Sequence, residues 1–204
     1  MTEKTICTIS GMMAYITGNN LLNPDKKIFI FNGDPRATGP AATLNSEFMR
    51  GASNANKSVR SIYLEGFRNT ESFLVDNQDP LVNPNINRRV YDEYKGTVDW
   101  YLEAEIVVLV STQYNWMVSN QLLKGFNKFS SIGANEPSCV KKDLALIVTG
   151  QGTDFAAIEE WYASLQRHLG YKDLGKIICP NVTEGEEVKK TEAYAAAYAL
   201  GQTI

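Results

Sequence analysis

Three short stretches of this sequence hold residue types that could handle a ligand, and each one follows an apolar run. In the first, Ile28 to Phe31 leads into Asn32-Gly33-Asp34-Pro35-Arg36-Ala37-Thr38-Gly39-Pro40-Ala41. Ala41, Leu44, Phe48 and Ala52 then recur at helical spacing. A helix entered here, with Thr38 or Gly39 as its cap and Pro40 in its first turn, aims amides at one spot, and Arg36 adds positive charge. That is anion-binding chemistry. In the second stretch, Ser111 to Met117, Gln113, Tyr114, Asn115, Trp116 and Met117 combine aromatic bulk with polar handles, which suits a binding surface or a subunit interface. In the third, Thr149-Gly150-Gln151-Gly152, the glycines permit close backbone approach.

Other chemistries find little support. His168 is the single histidine, so a Ser-His-Asp triad or a histidine-rich metal site would have to be built around it. It falls late in a surface helix beside Arg167, where positive charge favours the helix C-terminus. Cys7, Cys139 and Cys179 are odd in number and widely spaced, so neither a disulfide framework nor a metal cluster follows. They fit a reducing compartment, and a cytoplasmic protein is expected. Asn181-Val182-Thr183 matches a glycosylation acceptor but reads as ordinary surface sequence without a secretion signal. The net charge of −3 gives no electrostatic reason to expect nucleic acid or an anionic membrane as partner. No apolar run approaches the length of a membrane span.

The elements that must position the three stretches alternate along the chain. Strands are predicted over Ile28 to Phe31, Ser58 to Leu64, Ile106 to Val110, Asp143 to Thr149 and Leu174 to Cys179. Helices are predicted after the first loop, over Arg88 to Leu102, around Leu122 to Phe129, over Asp154 to Leu169 and over Glu184 to Leu200. This alternation predicts an α/β domain with a parallel sheet covered on both faces. A length of 204 residues fits one such domain, here 26–204. Residues 1–25 form an apolar N-terminal extension, expected to pack on the domain or on a partner subunit. Residues 65–87 are rich in turn-formers and make a long connection of the kind often found as a lid or interface arm.

Asn32-Gly33-Asp34-Pro35-Arg36 resembles the N-G-S-P-R phosphate loop of the flavodoxin-like, NAD(P)H-dependent FMN reductases. Two further stretches resemble that family in the same order. Tyr114, Trp116, Met117, Gln121, Lys124 and Phe126 echo its P-x-Y-W loop and following helix, and Thr149 to Gly152 echoes its T-G-G turn. The resemblance implies a doubly wound five-stranded parallel sheet of order 2-1-3-4-5, with the three loops on its carboxyl edge. It implies FMN as cofactor and NAD(P)H as co-substrate. Asp34, Arg36, Thr38, Gly39, Pro40 and Ala41 would hold the phosphate. Gln113, Tyr114, Asn115, Trp116 and Met117 would line the flavin ring, and Thr149, Gly150, Gln151 and Gly152 would meet its pyrimidine end. A homodimer or higher homo-oligomer is implied as well. The cysteines of iron-sulfur relatives have no counterpart in residues 65–87, so no such cluster is expected.

The implied function is hydride transfer from NAD(P)H to flavin and on to a quinone, a flavin or another small acceptor. The alternatives are an FMN-binding electron carrier without nicotinamide activity and a flavodoxin-like binding module that has lost FMN. Asp34 bears on that choice because the family usually has Ser there, and Gly39-Pro40-Ala41 stands where the family often has Gly-Asn-Thr or Gly-Asn-Ser, so two hydroxyls that would donate to phosphate are absent. A carboxylate about 5 Å from a phosphate charge, at an effective dielectric near 20, costs roughly 3 kcal/mol. Asp34 either repels the ligand in this way or turns to cap the local amides instead.

Overall fold

The continuous apolar runs become the centre of a sheet. In the computed structural model, which describes residues 8–10, 26–64 and 88–204, β2 is Lys27–Asn32, β3 Ser58–Tyr63, β4 Ile106–Thr112, β5 Asp143–Thr149 and β6 Lys172–Cys179. Every residue of β4 is buried, as a strand covered on both faces requires. The five strands are parallel, in spatial order β3-β2-β4-β5-β6, the 2-1-3-4-5 order of the flavodoxin-like fold. A sixth short strand, β1 (Thr8–Ser10), pairs antiparallel along β6 at the outer edge, with Thr8 opposite Ile178. Apart from that strand, residues 1–25 lie outside the described residues, as does the connection over 65–87.

Because successive side chains point to opposite faces, each strand feeds two cores. Ile28, Ile30, Val108, Val110 and Ile147 face helices α1 (Pro40–Asn54) and α6 (Glu192–Thr203). Phe29, Phe31, Leu109 and Leu146 face α2 (Arg88–Glu103), α3 (Asn120–Asn135) and α4 (Ala156–Leu169). On the second face Phe29, Phe31, Tyr101 and Phe129 meet mostly edge to ring, the geometry that aromatic quadrupoles favour.

The last helical stretch, expected as one helix over Glu184 to Leu200, is two. A single turn, α5 (Gly185–Val188), is followed by a break before α6. The Thr191 hydroxyl takes the Val188 carbonyl at 2.7 Å, so the turn ends there and α6 starts in a new direction. That direction lays α6 against α1 with their backbones almost touching. A Cβ built on Gly51 would collide with the carbonyl of Tyr198, and one on Gly201 with the carbonyl of Phe48.

Two buried lysines close helix ends on the side away from the ligand edge. Lys142 Nζ donates to the carbonyls of Tyr101 (2.6 Å) and Ala104 (2.8 Å) at the end of α2. Lys57 Nζ donates to those of Gln202 (2.9 Å) and Ile204 at the end of α6. Each satisfies carbonyls that a helix C-terminus leaves without partners. Burial pulls Lys57 down to about 8 from the ordinary lysine value. Among the described residues no helix is long and apolar enough to cross a membrane.

A candidate ligand site at the carboxyl edge of the sheet

The loop after β2 is fixed from several sides. The Gly33 amide extends the strand pairing by donating to Val110 O at 2.8 Å, and the Ser119 hydroxyl donates to Gly33 O at 2.7 Å while accepting from Leu122 N at the start of α3. Tyr63 donates its hydroxyl proton to Pro35 O at 2.9 Å. The loop therefore reaches α1 with its shape set by neighbours on three elements.

At the start of α1 the anion site is already filled by the chain itself. Asp34 is fully buried. Its Oδ2 accepts from the amides of Ala41 (3.0 Å) and Ala42 (3.1 Å), and its Oδ1 accepts from Arg36 N at 3.0 Å. Around them, Pro40 has no amide, Gly39 N donates to Arg36 O, and Thr43 N donates to Gly39 O. Gly39, the N-cap residue, has no capping side chain of its own and packs so close that a Cβ would strike the Asp34 carboxylate. Of the two roles open to Asp34 in the sequence, the structure shows the cap. A ligand phosphate cannot take the Ala41 and Ala42 amides at this helix start while they serve Asp34.

Arg36 is committed elsewhere. Its guanidinium donates to Glu184 Oε1 at 3.1 Å and to Thr183 O at 2.6 Å, joining the loop after β2 to the loop after β6. Both partners are largely exposed, so the pair contributes little to stability. It does neutralise the guanidinium.

The loop after β4 is a minimal hairpin. Tyr114 N donates to Met117 O at 2.7 Å and Met117 N to Tyr114 O at 2.9 Å, with Asn115 (φ 47°) and Trp116 (φ 61°) at the tip. Two consecutive residues at positive φ make a type I′ turn, and a bulky aromatic in that region is strained. The turn holds Trp116 in solvent, 65% exposed.

The turn after β5 is tied to both neighbouring loops. Gln113 N donates to Thr149 O at 2.7 Å and Gln113 Nε2 to Asp154 O at 2.6 Å. Gly150 N donates to Cys179 O and Gly150 O accepts from Val182 N. Thr149 and Gly150 are buried behind the edge, and Gln151 and Gly152 project from it.

These loops border an open cavity of about 630 Å³. Of the residues expected at the site, Arg36, Gln113, Tyr114, Asn115, Trp116, Gln151 and Gly152 line it. Met117 faces a second hollow on the far side of the hairpin, shared with Pro35 and Gln121, and Thr38 faces a third beside Thr43 and Lys189. Asp34, Gly39, Pro40 and Ala41 lie beneath the surface. The cavity also uses Val182, Thr183 and Glu184 from the loop after β6. Their signal in the sequence is their place just past the last parallel strand, on the same edge as the other three loops.

No family model matches the chain, and no curated protein matches its sequence. Solved structures do match its fold. An NAD(P)H:quinone oxidoreductase from Methanothermobacter marburgensis superposes with a TM-score of 0.60 at 14% identity, covering 87% of this chain and 96% of that one. An FMN-dependent NADH-azoreductase from Bacillus anthracis, solved with FMN, gives 0.55 at 13% identity over 86% and 98%. A flavodoxin from the domain Archaea gives 0.53 at 12% identity over 87% and 94%. At such identities the likeness is one of architecture: the chain has the flavodoxin-like fold that the two oxidoreductases and the flavodoxin share.

Proposed function

We propose that this chain is a flavin-dependent oxidoreductase that takes reducing equivalents from NAD(P)H and delivers them to a small acceptor, with a quinone or free flavin as the leading candidates. The observation that carries the reading is the cavity between the Tyr114–Met117 hairpin and the Gln151–Gly152 turn, at the carboxyl edge where doubly wound sheets place ligands. Its volume suits a tricyclic ring. The fold neighbours named above, a quinone oxidoreductase and an azoreductase, support the same class of reaction.

Flavin supplies the redox chemistry when bound, and the chain contributes placement and electrostatics. Trp116 and Tyr114 offer aromatic surface for the ring. Gln151 and Gly152 bring backbone to its edge, and the Arg36–Glu184 pair closes the cavity opposite. Assembly as a homodimer, with the exposed hairpin near the boundary, is part of the proposal.

Trp116→Gly keeps the positive φ at no steric cost and removes the aromatic surface. It is expected to weaken binding of both riboflavin and FMN about tenfold, the equivalent of one aromatic contact of roughly 1.4 kcal/mol. Quenching of flavin fluorescence on titration with protein measures it. Equal affinity in wild type and variant would show that the ring does not lie on Trp116.

A further inference from the structure

In a strand-loop-helix unit of this fold, the helix N-terminus is the natural seat for a ligand's phosphate, because its amides lack partners and its dipole favours negative charge. In this chain that seat is taken by a covalently attached anion. The Asp34 carboxylate accepts from Arg36 N, Ala41 N and Ala42 N at 3.0 to 3.1 Å, is fully buried, and is sealed beneath Gly39. Among the described residues the one cation lining the adjacent cavity, Arg36, is already paired with Glu184 and Thr183 O. A phosphate entering from the cavity would therefore meet a buried carboxylate already holding the Arg36, Ala41 and Ala42 amides, and a guanidinium already paired with Glu184. The ring half of the cavity carries none of these obstacles.

Resting on the flavin reading above, we infer that Asp34 determines flavin specificity: its carboxylate stands in the place of a ligand phosphate, so flavin is held by its ring alone and the phosphorylated form gains nothing. Riboflavin then binds at least as tightly as FMN. Flavin also exchanges with solution during turnover, because the anchor that would retain FMN is internal to the protein. Asp34 thereby converts a site for a resident cofactor into one for a flavin used as a diffusible substrate.

The test is a fluorescence titration of the full chain with riboflavin and with FMN, for wild type and for Asp34→Ser, with circular dichroism verifying that both are folded. Wild type is expected to show a dissociation constant for FMN equal to or above that for riboflavin. In Asp34→Ser the FMN-to-riboflavin ratio is expected to fall at least about tenfold, as charge-assisted bonds to the vacated amides become available to phosphate. Wild-type binding of FMN about tenfold tighter than riboflavin overturns the inference while leaving the flavin reading intact, and that result needs no variant. An unchanged ratio in a folded Asp34→Ser overturns it too. Binding of neither flavin by wild type removes the flavin reading itself, and the inference with it.

Discussion

Replacing Asp34 by alanine lowers the stability of the domain by about 3 kcal/mol. Three amides, of Arg36, Ala41 and Ala42, lose their acceptor at once. Leaving a buried donor unsatisfied costs about 1 to 3 kcal/mol, and water entering the vacated space recovers part of that. Loss of a helix N-cap alone costs about 1 kcal/mol, which sets the lower bound. Urea denaturation of the two proteins measures the difference. The variant also carries an internal check, because its emptied anion seat is open to a free anion. Inorganic phosphate is expected to raise the denaturation midpoint of Asp34→Ala in proportion to its occupancy and to leave wild type where it is. Equal stability of the two proteins, or equal response to phosphate, would mean that Asp34 is not the internal anion described above.

Alanine at Gly51 costs about 3 kcal/mol or more, despite being the better helix former. Propensity alone favours Gly51→Ala by roughly 1 kcal/mol in a helix interior. Against it stands the Tyr198 carbonyl, where the new methyl would have to sit. Backbone cannot swing aside as a flexible side chain can, so α1 and α6 must separate and the contacts of Ala52, Ala193 and Ala197 between them loosen. Gly201→Ala meets the Phe48 carbonyl in the same way and is expected to match it. Thermal unfolding followed by circular dichroism reads the effect as a fall in Tm of about 6 to 12 °C for a chain of this size. Gly96→Ala is the control, since a Cβ there meets nothing within 4 Å, and it is expected to be neutral or stabilising.

The sheet was legible because its strands announce themselves. Ile106 to Val110 is apolar without interruption, as a strand covered on both faces requires, and the alternating helices argue a parallel sheet, while its 2-1-3-4-5 order came from the resemblance to the flavodoxin-like reductases. The carboxyl-edge position of the three loops followed from that topology. What each loop does with its polar groups was less legible. Asp34 could face a ligand or its own helix, and the choice depends on Gly39 and the start of α1 closing over it in three dimensions. Gly150 looked available to a ligand but spends its amide on Cys179, a partner supplied by the next strand. Thr183 and Glu184 have no local motif, so their part in the cavity appears only once β6 is in place. The break between α5 and α6 escaped the helical pattern because Thr191 is a weak sequence signal whose hydroxyl finds Val188 only in the folded turn.

The central claim is that the cavity at the carboxyl edge carries flavin-dependent oxidoreduction. The most direct measurement is anaerobic mixing of the protein with NADH or NADPH and free riboflavin or FMN, following the loss of the visible flavin absorbance and its return on adding a quinone. Bleaching faster than in a protein-free control, saturating with flavin concentration and slowed in Trp116→Gly, is the result predicted here. Bleaching at the protein-free rate with either nicotinamide and either flavin would contradict it.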